Sequence, residues 1–570
     1  MNALCRTTVV VGLLFASIGS VVALADTTGN AGSAQFRQGA VVCVSRPAAE
    51  IGAAALKRGG TAVDAAVATA FALAVTYPAA GNIGGGGYML IVPRDQSGAA
   101  TVFDFRETAP MAATRDMFVD TSARGAHRCV GVPGTVRGLA AAHAQLGRRP
   151  WSELVMPAVQ LARDGFVLNA AVAGQLNGVL ADSERQTFSA LHETFAHPED
   201  RPWQAGDQLV QPELADSLLR IAQRGPDGFY VGETATLIAR EMRRGGGLIT
   251  ETDLAAYRPV IRRPVRGTYR NHEVLAAPPS TSGGTTLVEM LNILENFDLR
   301  RHGRWSAETL HLMVESMKRG YRDRAAFLGD PAFTSIPAML LEKPYARRWA
   351  NSINPRQATP SVELAGDIRI APEGTHTTQI SVVDAERTAV SLTYTLEQPF
   401  GSRVVVRGGG FLLNDEMNDF NWLPGVTNRE GRIGTPPNQI APGKRMLSSM
   451  CPTIVRRDGR TLLVTGSPGG RTIINTVLEV VINVVDFEMD AAAAVAAPRM
   501  HNGWLPDRVR VEPALAAEHA AAIDGLRGMG QAVAVSERTQ GDAHTIWIDP
   551  RSGTLVAVPD PRISGSAAGY

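Results

Sequence analysis

The stretch GTHTTQISVVD at residues 374–384 separates two parts of the chain that favour different secondary structure. Before it, apolar residues recur at three- and four-residue spacing, which is typical of amphipathic helices. The predicted helices cover residues 151–163, 286–296 and 306–327. From Thr378 onward, alternation of apolar and polar residues predicts strands over 378–383 and 388–395, joined by the polar turn 384–387. We therefore expect an antiparallel hairpin directly after a cluster of threonines.

The second strand of this hairpin should have one apolar face and one hydroxyl-bearing face, because successive side chains point to opposite sides of a strand. The apolar face carries Val390, Leu392 and Tyr394, and the other face carries Ser391, Thr393 and Thr395. Further along, residues 462–465 predict a buried strand that runs into the turn GSPGG at 466–470 and an apolar helix over 472–487. Backbone N–H groups at such a glycine-rich junction are open to an anion.

Composition and motifs exclude several classes of function. Of 570 residues, 45% are hydrophobic, and 56 Lys and Arg residues balance 55 Asp and Glu residues, so nothing favours a nucleic-acid partner. The loop GNIGGGG at 81–87 is neither a P-loop nor a dinucleotide-binding turn, and neither Gly-x-Ser-x-Gly nor His-Glu-x-x-His occurs. Apart from Cys5, which lies in the predicted N-terminal export signal, the cysteines are Cys43, Cys129 and Cys451. These three lack metal-ligand spacing and are odd in number, so we expect neither a metal site nor a disulfide framework. A small molecule is the expected partner.

The N-terminus predicts an export signal. Arg6 precedes an apolar run over about residues 9–24, and the sequence ALA at 23–25 offers the small residues that a signal peptidase needs. We expect residues 1–25 to be a cleaved signal peptide and the protein to be periplasmic or extracellular. An uncleaved membrane anchor is the alternative.

The hairpin region resembles a known active site. Its sequence TTQISVVD at 377–384, with TYTL at 393–396, is similar to the processing site and catalytic hairpin of the γ-glutamyltranspeptidases. Further segments resemble that family in the family's own order: GGTAVDAA at 59–66, the loop at 81–87, DFRE at 104–107, VPG at 132–134, PPSTSGG at 278–284 and LSSM at 447–450. The resemblance extends to DPR at 560–562 and covers nearly the whole chain after the predicted signal.

The resemblance implies an α/β (α+β) fold, the four-layer αββα sandwich of the N-terminal-nucleophile hydrolases. In that family one intertwined domain forms from a precursor that cuts itself before a threonine. Here the cut would fall between His376 and Thr377 and give a large subunit, 26–376, and a small subunit, 377–570, that stay together as a heterodimer. The fixed position of SVVD at 381–384 selects Thr377 over the neighbouring threonines.

The resemblance also implies the catalytic groups. Thr377 would attack the acyl carbon, and its newly freed α-amine, with a pKa of roughly 7.7–8.0, would accept the hydroxyl proton. Thr395 matches the residue that orients this nucleophile, and Gly469 and Gly470 match the two backbone donors of an oxyanion hole. Because nucleophile and base are one residue, no cofactor is implied.

The binding residues implied by the resemblance suit an α-amino acid end. Arg106 matches the residue that holds the substrate carboxylate, which fits the two-pronged geometry of a guanidinium. Matching hydroxyl donors for the same carboxylate are Ser448 and Ser449, and matching acceptors for the ammonium are Glu416 and Asp419. The glycine- and proline-rich segment 424–442 is long enough for the lid that covers the pocket in some members.

Two residues depart from the family pattern. Glu397 stands near the expected ammonium site where many members carry Asn, and Gln379 stands where a His often follows the paired threonines. The first hypothesis is a γ-glutamyltransferase and glutathione hydrolase that passes a γ-glutamyl group from a glutathione-like donor to water or to an amino acid or peptide. The alternatives are a related acylase, which would act on β-lactam side chains or polyglutamate, and an inactive exported binding protein.

Overall fold

The computed structural model describes residues 32–94, 100–366, 368 and 378–570. The predicted signal at 1–25, the predicted cleavage point and Thr377 lie outside these residues. Within the described ranges, no helix is both long and apolar enough to cross a membrane.

The strands, in chain order, are β1 Ala34–Phe36, β2 Ala40–Cys43, β3 Gly86–Val92, β4 Thr101–Asp104, β5 Phe166–Val167, β6 Gln208–Leu209, β7 Val260–Arg262, β8 Val265–Tyr269, β9 His272–Ala276, β10 Thr378–Val383, β11 Ala389–Thr395, β12 Thr453–Arg457, β13 Arg460–Thr465, β14 Met500–His501, β15 Val509–Val511, β16 Val533–Val535, β17 Thr545–Ile548, β18 Leu555–Val558 and β19 Ser566–Gly569.

The α-helices are α1 Arg46–Lys57, α2 Ala62–Thr76, α3 Thr135–Leu146, α4 Trp151–Asp164, α5 Ala170–Ala181, α6 Ser189–Phe195, α7 Pro212–Arg224, α8 Asp227–Tyr230, α9 Glu233–Gly245, α10 Glu251–Ala256, α11 Gly283–Leu294, α12 Leu299–His302, α13 Ala307–Phe327, α14 Lys343–Asn351, α15 Ile473–Val485, α16 Ala491–Ala496, α17 Pro513–Glu518 and α18 Ala520–Gly528. Short 3₁₀ helices cover Thr121–Ala123, Ala126–Cys129, Ala338–Leu341, Glu416–Asp419, Pro436–Asn438 and Gly470–Thr472.

Two seven-stranded sheets form the centre of the described chain. The first has the order β1-β18-β17-β13-β12-β9-β8, and the second has the order β19-β2-β10-β11-β3-β4-β7. Smaller sheets pair β14-β15-β16 and β5-β6. The neighbouring strands of both large sheets run antiparallel.

The predicted hairpin is β10 and β11, at the middle of the second sheet. Thr378 pairs with Tyr394 and Val383 with Ala389. β10 also pairs with β2, and β11 also pairs with β3. The hairpin is therefore held on both sides by strands from the first part of the chain.

The two faces of β11 behave as the alternating pattern predicts. Val390, Leu392 and Tyr394 join an apolar core with α1, α2 and α4. On the other face, the Ser391 hydroxyl donates to the carbonyl of Thr465 in the first sheet at 2.8 Å. The first sheet thus faces the hydroxyl side of the hairpin, and its own far side is covered by α11, α13 and α15. The order helices, sheet, sheet, helices is the predicted four-layer αββα sandwich.

Most predicted helices appear with small shifts at their ends. The helix predicted over 286–296 begins earlier and is Gly283–Leu294, because two glycines fit closely against β9 and the segment before β12. A mostly apolar stretch at residues 61–77, which also contains Asp64, forms α2, and this helix is buried over its whole length. Asp64 is tolerated there because it closes a capping box with Thr61 at the first turn.

Candidate active site

One cavity brings together most of the residues predicted for catalysis and binding. It has a volume of about 190 Å³. Its lining includes Arg106, Thr395, Glu397, Glu416, Asp419, Ser448, Ser449 and Gly470. Gly469 borders a neighbouring cavity of about 370 Å³ that shares Glu397 with the first.

The fold places these residues at the ends of strands. Thr395 is the last residue of β11, and Arg106 follows β4, which lies two strands away in the same sheet. Ser448 and Ser449 come shortly before β12, and Gly470 lies between β13 and α15 in the other sheet. Residues that are far apart in sequence therefore meet at one edge of the sandwich.

The glycine-rich loop at 81–87 supports the end of β11. A Cβ atom on Gly85 would lie 2.0 Å from the carbonyl oxygen of Thr395, and one on Gly87 would lie 2.3 Å from that of Thr393. Asn82 donates from its side chain to the Thr395 carbonyl at 2.9 Å and accepts from the N–H of Gly85. Only glycine allows this close backbone approach.

Glu397 lies beside Thr395 and combines a buried carboxyl group with a strained backbone. Its backbone N–H donates to the Thr395 hydroxyl oxygen at 2.9 Å, and its φ of 81° lies in the left-handed region. Burial raises the pKa of Glu397 well above its usual range, and the nearby carboxylates of Asp415, Asp419 and Glu416 raise it further. A non-glycine residue in this conformation costs energy, and residues strained in this way cluster at functional sites.

Arg106 lies among three carboxyl groups. Its guanidinium is 2.5 Å from Glu416 and 3.5 Å from Glu107, and it donates to Asp419. Burial opposes its charged form, but Glu416 and Asp419 outweigh that cost and raise the pKa of Arg106 above its usual value. Burial raises the pKa of Glu107 to about 8, so that this group holds a proton near neutral pH. The predicted carboxylate binder is thus paired with the two predicted ammonium acceptors.

The two predicted serines form a donor surface on another part of the lining. Arg324 donates to the Ser449 hydroxyl oxygen at 3.0 Å and to Ser282 at 2.8 Å. Ser282 in turn donates to the carbonyl of Ser448 at 2.6 Å. Within the described residues, neither Ser448 nor Ser449 donates its own hydroxyl proton, so both can donate to a ligand.

The glycine turn after β13 exposes backbone donors. Gly469 and Gly470 have φ angles of 125° and 55°, which lie outside the ranges of α-helices and β-strands. Within the described residues, their N–H groups donate no hydrogen bond to the protein. They are therefore available to an anion in the way that the sequence predicts.

Comparison with known proteins identifies the family of this arrangement. The family model described as gamma-glutamyltranspeptidase matches residues 48–570. The chain belongs to the γ-glutamyltranspeptidase family. A relative named glutathione hydrolase proenzyme from Escherichia coli is 45% identical over 548 residues, covering 94% of this chain and 92% of the relative. A protein of the same name from Pseudomonas aeruginosa is 41% identical and covers 97% of this chain and 98% of its own length.

Structural comparison agrees with the fold. The crystal structure of cephalosporin acylase from Bacillus halodurans superposes with a TM-score of 0.82 at 26% identity, covering 98% of this chain and 99% of that one. The predicted family resemblance and the predicted sandwich are therefore confirmed, as is the prediction that this γ-glutamyltranspeptidase family member is an enzyme.

Gln379, one of the two departures from the γ-glutamyltranspeptidase pattern, joins the hairpin to the glycine turn. Its amide nitrogen donates to Ser391 at 3.0 Å, and its amide oxygen accepts from Thr393 at 2.5 Å. A Cβ atom on Gly466 would lie 2.3 Å from that oxygen. Gln379 is fully buried, so these contacts indicate a packing role next to the site.

Several arginines of the lining were not predicted from the sequence. They are Arg124, Arg324, Arg432 and Arg471. Arg124 and Arg432 stack on Trp422, 4.0 and 4.4 Å from the ring centre. Arg471 donates to the carbonyl of Gly431 at 3.0 Å, and so holds part of the predicted lid segment against the turn at 466–470. Helical periodicity shows that Arg324 lies near the end of α13, but not that it reaches this γ-glutamyltranspeptidase cavity.

Proposed function

We propose that the protein is a γ-glutamyltransferase and glutathione hydrolase that forms a γ-glutamyl ester on Thr377. The observation that carries this proposal is the distribution of charge in the cavity. In one part, the carboxyl groups of Glu397, Glu416 and Asp419 lie close enough together that Asp419 and Glu416 help to raise the pKa of Glu397. In the other part, the Arg324 guanidinium contacts the Ser449 hydroxyl and pairs with no described carboxylate within 4.0 Å, and Ser448 precedes Ser449 in the same lining. The free end of a γ-glutamyl group carries one ammonium and one carboxylate, which are the complements of these two parts.

Chain connectivity supports Thr377 as the nucleophile. Thr378 pairs with Tyr394, and Thr395 is the next residue on β11. Thr378 directly follows the proposed nucleophile in the chain, so this pairing supports a nucleophile that acts next to Thr395, which lines the cavity.

The proposed reaction has two half-reactions. In the first, the free α-amine of Thr377 accepts its hydroxyl proton, the oxygen attacks the γ-carbonyl carbon, and the N–H groups of Gly469 and Gly470 stabilise the oxyanion. The C–N bond then breaks, and the amine product leaves with the proton. In the second, water or an acceptor amine attacks the ester carbon and loses a proton to the α-amine. The ester C–O bond then breaks, and the α-amine returns that proton to the Thr377 oxygen.

Self-cleavage and export complete the proposal. Removal of residues 1–25 and cleavage after His376 would give subunits 26–376 and 377–570. The first two strands of the small subunit, β10 and β11, pair with β2 and β3 of the large one. Because separation would break the middle of a sheet, we expect the two subunits to stay together in the periplasm or outside the cell.

The test compares intact mass and activity of wild type and Thr377→Ala with γ-glutamyl-p-nitroanilide and glutathione. We expect two fragments and amine release from wild type only. Two fragments without cleavage of either compound would replace the proposed function by another acylase activity. An uncut, inactive wild-type chain would overturn the Thr377 mechanism.

A further inference from the structure

We propose that Arg324 is a second cation for the α-carboxylate of the donor substrate and makes the enzyme prefer γ-glutamyl groups to acyl groups that lack this carboxylate. The inference rests on the proposed function and adds a specificity residue to it. It starts from the position of Arg324 near the C-terminal end of α13, where its side chain reaches the lining of the cavity.

The contacts of Arg324 leave part of its guanidinium for a ligand. Nε donates to Ser282 at 2.8 Å and Nη2 donates to Ser449 at 3.0 Å. Nη1 makes no hydrogen bond to the described residues, and no described carboxylate lies within 4.0 Å of Arg324. The side chain is fixed in place by two neutral hydroxyl groups, and Asp419 acts on its charge only from beyond ion-pair distance, so no described carboxylate pairs directly with this guanidinium.

The surroundings favour an anion at this point. Burial and, to a smaller extent, neighbouring Arg471 lower the pKa of Arg324 to about 10 against an opposing effect of Tyr321 and Asp419, so the group is still charged at neutral pH but its charged form is costly to keep there. A carboxylate would offset that cost and would also accept from the Ser448 and Ser449 hydroxyls. A guanidinium binds a carboxylate more strongly than a neutral acceptor does.

Arg106 does not supply this free charge. Its two terminal nitrogens already contact Glu416 and Asp419, and the Nε atom donates to the carbonyl of Met446 at 3.3 Å. The charge of Arg106 is therefore already balanced in part by Glu416 and Asp419, and Arg324 adds a second, open donor for the carboxylate that Arg106 is predicted to bind. The two charged groups of an amino acid would each have a separate partner.

The experiment uses two donors that differ in one group. γ-Glutamyl-p-nitroanilide carries the α-carboxylate, and 4-aminobutyryl-p-nitroanilide has the same chain, amine and amide without it. Wild type, Arg324→Gln, Arg324→Lys and Arg322→Gln are first checked by intact mass for cleavage into two fragments. Arg322 is a matched control on the same helix, because it contacts Asp323 and the carbonyl of Leu364 and does not line this cavity.

For Arg324→Gln we expect the KM of the γ-glutamyl donor to rise about tenfold or more, the usual effect of losing a charged hydrogen bond. The kcat/KM of the 4-aminobutyryl donor should stay within about threefold of wild type, because this donor has no carboxylate to bind Arg324 and so loses no charged hydrogen bond. Arg324→Lys should recover part of the preference, and Arg322→Gln should keep the wild-type ratio.

Four results would count against the inference. If Arg324→Gln keeps the wild-type ratio of kcat/KM for the two donors, Arg324 does not recognise the carboxylate. The same conclusion follows if Arg324→Gln and Arg324→Lys both lose activity on the two donors to the same extent. A wild-type enzyme that turns over neither donor overturns the proposed function, and this inference with it. Normal γ-glutamyl turnover in wild type with no effect of Arg324→Gln overturns the inference alone.

Discussion

Thr378 lies directly opposite Tyr394 across the β10–β11 hairpin, which makes Thr395 the residue that ends β11 beside the start of β10. The Thr395 hydroxyl oxygen accepts the backbone N–H of Glu397 at 2.9 Å, so the position of this oxygen is set by the backbone. A hydroxyl fixed in this way can orient a neighbouring nucleophile at little entropic cost.

Replacing Thr395 by Ala should slow both self-cleavage and turnover. A hydrogen bond to a reacting group is worth about 1.5–3 kcal/mol, which predicts a fall in kcat of about tenfold to hundredfold. Thr395→Ser should keep most activity because it retains the oxygen. The readouts are the time course of fragment formation and kcat; cleavage and kcat at wild-type levels in Thr395→Ala would exclude an orienting role.

Gly469→Ala tests the proposed oxyanion donor. The added methyl would lie 2.4 Å from the Thr472 hydroxyl oxygen at a φ of 125°, so the turn must move. Loss of one such donor lowers kcat by about 10²–10³-fold. Gly530→Ala is the control, because Gly530 also has a positive φ of 88° but its nearest neighbour would be Ala358 at 3.7 Å. Equal kcat values for the two variants in steady-state assays would contradict the assignment.

Glu397→Asn should stabilise the protein, and more so at higher pH. Asn tolerates the left-handed region better than Glu, and strain of this kind costs about 1–3 kcal/mol. Because the folded-state pKa of Glu397 is raised, its contribution to stability is present below the usual Glu pKa of about 4.3 and is lost as pH rises through the folded value. The Asn side chain does not ionise, so the variant does not lose stability in this way as pH rises.

Thermal unfolding at pH 5 and pH 8 measures the Glu397→Asn effect. We expect the Tm advantage of the variant to be larger at pH 8. Glu50→Asn, at an exposed position on α1, controls for a general effect of removing a carboxylate. A variant less stable than wild type at both values would show that the Glu397 carboxyl has a stabilising role.

The sequence predicts local features of this protein better than distant ones. The hairpin follows from period-two alternation, and α2 follows from a mostly apolar, alanine-rich stretch at residues 61–77 that is typical of a buried helix. The loop at 81–87 could not be interpreted alone, because its glycines are required by the backbone of β11, which lies about 310 residues away in the chain. Arg324 was missed for the same reason: its partner Ser449 is 125 positions away.

The pairing of predicted site residues with each other was also beyond sequence reasoning. Arg106 and Glu416 were each predicted to bind substrate, and their roles in ligand recognition stay predictions. Sequence similarity identifies such residues one at a time. Their mutual distance depends on how β4 and the 3₁₀ helix Glu416–Asp419 meet in the folded chain.

Glu416→Gln should weaken both the fold and donor binding. The carboxylate lies 2.5 Å from Arg106, and both side chains are at most 1% exposed. Removing one partner of a buried ion pair costs about 3–5 kcal/mol of stability. Arg106 would still be paired with Asp419, so we expect the free energy of unfolding in urea to fall by about 1.5–3 kcal/mol. Glu386→Gln is the control, because its pair with Arg148 is exposed and is worth at most about 1 kcal/mol. In folded enzyme, Glu416→Gln should also raise the KM of the γ-glutamyl donor about tenfold, since an amide replaces one carboxyl acceptor for the ammonium. An unchanged KM together with lower stability would assign Glu416 to the support of Arg106 alone.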